Sequence, residues 1–217
     1  MPRHRFSHVD TWVFDLDNTL YPPAIRLFDQ IQARMTAYVV QALGIDTEAA
    51  NALRQDYWHR YGTTLSGLMQ EHGLDPEPYL LDVHDIDLGQ VAPAPSLAAA
   101  IGALPGRRIV HTNGSRLHAQ RVTAALGIGD AFDALYGFED AGYVPKPQPA
   151  AFATVFATAG FAPERAAMFE DDVRNLAVPH GLGMRTVLVG PAETPPGTAA
   201  HVDHQTEDLA GFLARLV

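Results

Sequence analysis

Apolar positions change their period twice along the chain. Trp12, Val13 and Phe14 form a continuous apolar run that stops at Asp15, which predicts a short strand buried on both faces. Beyond Leu20 the spacing becomes helical. After Pro22 and Pro23, the residues Ile25, Phe28, Ile31, Met35 and Val39 recur on one helix face up to Gly44. Asp46 or Thr47 can cap a second helix with Leu53, Tyr57 and Tyr61 along a stripe and Gly62 beyond its end. Shorter helical pieces are predicted over Leu65 to Glu71 and Glu77 to Leu81. Val91-Ala92-Pro93-Ala94-Pro95 then marks a boundary, because neither proline suits a helix interior.

From there strand and helix alternate, the signature of a parallel sheet. Arg108-Ile109-Val110-His111 predicts a strand that runs into Thr112-Asn113-Gly114-Ser115. Ser115 can cap a helix carrying Val122, Ala125 and Leu126, which Gly127 stops. A weaker strand passes through Ala134-Leu135-Tyr136. Phe152, Val155 and Phe156 give the next helix its apolar face, ended by Gly160. Ala166 to Phe169 predicts a buried strand, followed by a helix that Pro179 should shorten or kink. Thr186 to Val189 is the last clear strand, 191 to 204 reads as loop, and Glu207 to Leu216 as a closing helix. The fold class is therefore α/β, a Rossmann-like doubly wound parallel sheet. Residues 1–20 and 92–217 are expected to form its core, and 21–91 an all-helical cap inserted after the first strand.

Composition narrows the picture. The chain of 217 residues is 47% hydrophobic and 18% charged, ordinary for a globular protein. A formal charge of −10 disfavours a nucleic-acid polymer as partner, since such surfaces are basic. There are no cysteines, hence no thiolate metal site. No stretch is long and apolar enough to span a membrane, and no apolar run follows the N-terminal basic residues, so a cytoplasmic monomer or homodimer is expected. Of 15 basic residues, Lys146 is the one lysine. It lies between two prolines in Val144-Pro145-Lys146-Pro147, where a compact ammonium could be held in one place.

The chemistry gathers at strand ends, where open α/β sheets bind ligands. Asp15 and Asp17 stand just past the first strand. Two such acids resist joint ionisation unless a cation relieves them, which leaves one free as nucleophile and the other to move a proton. Thr112 offers a hydroxyl, and Asn113 and Gly114 offer N–H groups before a helix, a natural anion site. Glu170, Asp171 and Asp172 end an apolar strand, and hard carboxylate oxygens suit Mg²⁺.

Asp15-Leu-Asp17-Asn-Thr19, Thr112-Asn113-Gly114, Lys146-Pro147 and Glu170-Asp171-Asp172, in this order, resemble the four motifs of the haloacid dehalogenase (HAD) superfamily. The resemblance covers nearly the whole chain, including a helical cap between the first two motifs. It implies that Asp15 attacks phosphorus and becomes an aspartyl-phosphate, and that Asp17 protonates the leaving alcohol and then activates water. It implies that Thr112, Asn113 and Lys146 hold the phosphoryl group. Mg²⁺ would sit on Asp15, Asp171 and the backbone carbonyl of Asp17, with Glu170 or Asp172 acting through water. Relatives that displace halide lack the second acid, so Asp17 favours phosphate ester hydrolysis.

Within the superfamily, Asp15 to Pro22, Tyr61-Gly-Thr-Thr-Leu65 and Val83-His-Asp-Ile-Asp87 resemble the pyrimidine 5′-nucleotidase group. The Phe-Glu-Asp-Asp-Val of the fourth motif and the position of Pro179 depart from it. The implied substrate is a small phosphorylated metabolite, a pyrimidine nucleoside 5′-monophosphate, with phosphoglycolate or a sugar phosphate as alternative. Remoter is a non-catalytic binder of phosphate ligands. Tyr57, Trp58 and Tyr61 could stack on a base, and His84 could hydrogen-bond a ligand where the helical segment returns.

Overall fold

In the computed structural model, which describes residues 2–191 and 200–217, the first strand is Thr11–Phe14 (β1). Four helices follow: Leu27–Leu43 (α1), Thr47–Tyr61 (α2), Thr64–His72 (α3) and Pro76–Val83 (α4). Next come Pro95–Gly102 (α5), Arg107–His111 (β2), Arg116–Ala125 (α6), Ala134–Tyr136 (β3) and Pro149–Ala159 (α7). The chain continues with Ala166–Glu170 (β4), Ala177–Gly181 (α8), Arg185–Val189 (β5), His204–Thr206 (β6) and Leu209–Ala214 (α9). The strands form one six-stranded sheet in the order β3-β2-β1-β4-β5-β6, with every pairing parallel. That is the predicted fold class. No described helix is long and apolar enough to cross a membrane.

β1 shows why its apolar run is unbroken. Trp12 and Phe14 pack into one buried cluster and Val13 into the other, so alternate side chains serve opposite faces of the sheet. Phe14 stacks on Phe169 of β4 at 4.7 Å. Helices α1 to α4 pack on one another, and their buried Leu27, Ile31, Val39 and Tyr79 continue the cluster that contains Phe14. Asp46 caps α2 by accepting from Ala49 N, and Thr63 caps α3 by accepting from Ser66 N.

Four departures from the sequence reading have physical causes. Ile25 lies in a 3₁₀ turn, Pro23–Ile25, separated from α1 by Arg26 at φ 60°. Helix α5 was not expected. Pro95 is its first residue, a position where a missing N–H costs nothing. His204–Thr206, which begins at the last residue of the expected loop, adds an edge strand paired through its backbone beside β5, and 192–199 of that loop lie outside the described residues. The closing helix starts later than Glu207, because Asp208 caps it through Gly211 N. The helix holding Pro179 is short, as predicted, and follows a 3₁₀ turn.

Candidate active site

The register of three strands sets the site. Phe14 pairs with Val110 on one side and with Phe169 on the other, so the next rung brings Asp15 beside His111 and Glu170. The backbone N–H of Asp15 donates to the Phe169 carbonyl at 2.9 Å, which fixes the residue at the sheet's edge. Lys146 reaches this rung from the loop before α7 and is 1% exposed. Its Nζ donates to Asp15 Oδ1 at 2.7 Å, to Glu170 Oε2 at 2.7 Å and to the His111 carbonyl at 2.8 Å. All three N–H bonds are thus directed at protein acceptors. Lys146 acts here first as the charge that holds two buried carboxylates together. The main chain of Lys146 is clamped as well, since its N–H donates to Asn113 Oδ1 at 2.8 Å and Asn113 Nδ2 donates back to its carbonyl at 3.1 Å. The Asn113 side chain is committed to this clamp, whereas the group expected at the phosphate is its backbone N–H.

Charge is crowded around that rung. Burial, then repulsion from Glu170, pushes Asp15 up to about 7 despite Lys146. Glu170 is also pushed up to about 7, mainly by burial, and Asp171 to about 7 by burial and then Asp15. Burial opposes the Lys146 ammonium, but Asp15 and Glu170 outweigh it and hold the group above the usual lysine range. Donor oxygens of Asp15, Glu170 and Asp171 lie within 4.8 Å of one another. Three hard carboxylates against one ammonium leave net negative charge, a donor set that fits Mg²⁺.

A metal-linked stability follows. In the fold these acids keep protons up to about 7, against roughly 4 when unfolded, so their repulsion grows as pH rises across that interval. Mg²⁺ should therefore raise the melting temperature over an EDTA reference more at about pH 8 than at about pH 5.5. An equal shift at both pH values would show that the cation does not sit among these acids.

Asp17 is held differently. Its Oδ1 accepts from Tyr21 Oη at 2.6 Å and faces His118 Nε2 at 2.8 Å. Burial raises its proton affinity, but the His118 ring, as charge and as partner, and the Tyr21 hydroxyl outweigh it and bring Asp17 down to about 2. Burial pushes Tyr21 itself well above the usual tyrosine range. His118 lies one turn into α6, capped by Ser115, whose Oγ accepts from His118 N at 3.1 Å. Its ring stacks on His84 with centroids 4.4 Å apart. The sequence pattern assigns no role to His118 or Tyr21. The signal in hindsight is a histidine three residues past a helix cap and a tyrosine four residues past Asp17.

Asp15, Asp17, Thr112, Asn113, Lys146 and Glu170 line a cavity of about 740 Å³ to which the helical segment contributes Phe28, Ile31, Met35, Arg54 and Trp58. Thr112 is buried, and its Oγ1 accepts from Gly114 N at 2.9 Å. Asp171 and Asp172 also line the cavity, but Asp172, expected as an alternative to Glu170 at the metal, turns to Arg174, whose Nε it meets at 3.0 and 3.1 Å. The face of the Arg174 guanidinium, whose edge pairs with Asp172, covers the Trp58 ring at 3.8 Å, a contact between the helical segment and the loop after β4. Among the residues expected to read a base, Trp58 and His84 border the cavity. Tyr57 and Tyr61 do not: Tyr57 packs on Gly67 and reaches His72 at 2.7 Å, and Tyr61 bonds Glu71.

Two acids, a buried lysine and an acidic cluster thus converge at the carboxyl edge of the parallel sheet. The profile described as haloacid dehalogenase-like hydrolase matches residues 9–182, and the chain belongs to that family. It is 27% identical over 174 residues to phosphate metabolism protein 8 of Saccharomyces cerevisiae, covering 73% of this chain and 54% of that protein. This chain thus spans about half the length of that relative. Among solved structures, a HAD phosphatase from Thermococcus onnurineus superposes with a TM-score of 0.63 at 16% identity, over 96% of this chain and 98% of that one. The magnesium-bound HAD hydrolase YfnB of Bacillus subtilis gives 0.61 at 17%, over 96% and 98%. L-2-haloacid dehalogenase of Xanthobacter autotrophicus gives 0.58 at 21%, over 96% and 98%. At these identities the structures share the fold.

Proposed function

We propose that this hydrolase is a Mg²⁺-dependent phosphomonoesterase acting through an aspartyl-phosphate on Asp15, with a pyrimidine nucleoside 5′-monophosphate as substrate and residues 21–91 as its cap. The observation that carries the reading is the pairing of acids on one loop. Asp15 is held by Lys146, and Asp17, two residues on, borders the same cavity with its own separate partners. Mg²⁺ held by Asp15, Asp171 and the Asp17 carbonyl would offset charge on the phosphoryl oxygens.

Asp15 attacks phosphorus as the ester P–O bond breaks, and the departing alkoxide takes a proton from Asp17. Asp17, now a carboxylate, then accepts a proton from the water that attacks phosphorus, and the bond to Asp15 breaks to restore the enzyme. In the free protein the proton order is the reverse, with Asp15 near 7 and Asp17 near 2. A cation beside Asp15 would lower its proton affinity and a phosphate dianion beside Asp17 would raise that of Asp17, which favours the order this mechanism needs.

The cap half of the cavity supports a ligand larger than phosphate alone. Arg54 borders it and, among the described residues, pairs with no carboxylate. Its Nη1 is held by Thr36 and Asn51, and its buried Nε has no partner. Such a group suits the carbonyl edge of a pyrimidine. Arg54→Ala should lower kcat/KM for the nucleotide by roughly tenfold more than for p-nitrophenyl phosphate. Equal losses would remove Arg54 from base recognition. The reading as a whole is tested by a phosphate-release panel of nucleotides, sugar phosphates and phosphoglycolate, with and without Mg²⁺, alongside halide release from a 2-haloacid. Mg²⁺-dependent hydrolysis led by pyrimidine nucleotides is expected. Halide release, or no phosphate release across the panel, would overturn it.

A further inference from the structure

We propose that His118 and Tyr21 are positioning residues that fix which oxygen of Asp17 exchanges a proton with the leaving group. Both address the same atom, Oδ1, at 2.8 and 2.6 Å. Among the described residues no donor meets Oδ2, and Asp17 borders the cavity. A carboxylate fastened through one oxygen by two partners cannot rotate about its terminal bond without breaking both hydrogen bonds. Oδ2 is therefore the oxygen presented to the ester.

The two partners are themselves immobilised, each from a different element. His118 is 1% exposed and sits where the Ser115 cap starts α6 at the end of β2. Its ring lies nearly parallel to His84, at 20°, and His84 Nδ1 is set between the Leu80 carbonyl at 2.9 Å and Ser115 Oγ at 3.2 Å. Tyr21 is 1% exposed in the loop that follows β1. Rings held this way leave their polar atoms little freedom, and proton transfer in a transition state is sensitive to placement on the order of 0.5 Å.

The inference rests on Asp17 being the general acid of a phosphatase, and leaving-group chemistry separates the two claims. A nucleoside 5′-alkoxide needs its proton in the transition state, whereas p-nitrophenolate leaves largely without one. The ratio kcat/KM reports steps up to phosphorylation of Asp15, before water is activated, so it isolates this proton. His118→Leu and Tyr21→Phe should each lower kcat/KM for the nucleotide by at least tenfold more than for p-nitrophenyl phosphate, and His118→Gln, whose amide nitrogen reaches the Nε2 position, should restore most of the loss. Tyr21→Phe removes one oxygen only, so it carries the test even where His118→Leu fails to fold. Losses equal on both esters, or no rescue by glutamine, would make these residues merely structural and overturn the proposal. A parent enzyme inert towards both esters would instead overturn the phosphatase reading.

Discussion

Asp15→Asn is expected to release no measurable phosphate from any ester while melting within a few degrees of the parent, or above it, in EDTA. An amide is a poor nucleophile and a weak ligand, so both the covalent step and the metal site are lost, a drop on the order of 10⁴-fold or more. Stability moves the other way. Asp15 is buried, and its ionised form is opposed by burial and by Glu170. Neutralising it leaves the Lys146 ammonium facing the single carboxylate of Glu170 at 2.7 Å, a balanced pair. The trade of activity for stability marks a group kept for chemistry. Phosphate release and thermal melts in EDTA check both halves. Turnover near the parent level would end the case for Asp15 as nucleophile.

Lys146→Met should fail in both respects. Removing the ammonium leaves Asp15 and Glu170 buried without their shared partner, which costs about 3–5 kcal/mol of stability, and it removes charge stabilisation worth a hundredfold or more in rate. Lys146→Arg should rescue little. Three acceptors surround one compact Nζ in a slot that is 1% exposed, a geometry a planar guanidinium cannot match. Mg²⁺ should recover part of the melting temperature of the methionine variant by offsetting the same carboxylates. Turnover and melting with and without Mg²⁺ decide the matter. An arginine variant that kept most of the activity would reduce Lys146 to a generic positive charge.

Asp15 and Glu170 were legible because each ends an apolar run at a strand end, and Lys146 because it is the one lysine of the chain and lies between two prolines. Other features depend on what the sequence pattern does not encode. Helix α5 was hidden by prolines that read as breaks, although Pro95 opens a helix as readily as it ends one. Strand β6 is three polar residues, His204-Gln205-Thr206, whose pairing comes from backbone groups and the neighbouring β5. Helical spacing put Tyr57 and Tyr61 on one stripe but not against a particular neighbour, and that neighbour is α3. His118 gains meaning only from Asp17, 101 residues earlier in the chain. Asp172 is diverted by Arg174 two positions later, a competition between adjacent residues that a run of acids does not reveal.

The rung shared by β1, β2 and β4 also sets where the chain tolerates length changes. Asp15, the His111 carbonyl and Glu170 meet around one ammonium because three strands stop in phase. One residue added to or deleted from any of them, upstream of the rung, would carry the Asp15 or Glu170 side chain to the opposite face of the sheet, or turn the carbonyl from β2 towards the other neighbouring strand. The connections of the helical segment, such as the turn at Gly73, carry no such phase relation to these three groups. Indels between homologues should therefore collect in those turns and avoid the three strands, and random insertion libraries selected for turnover should show the same division.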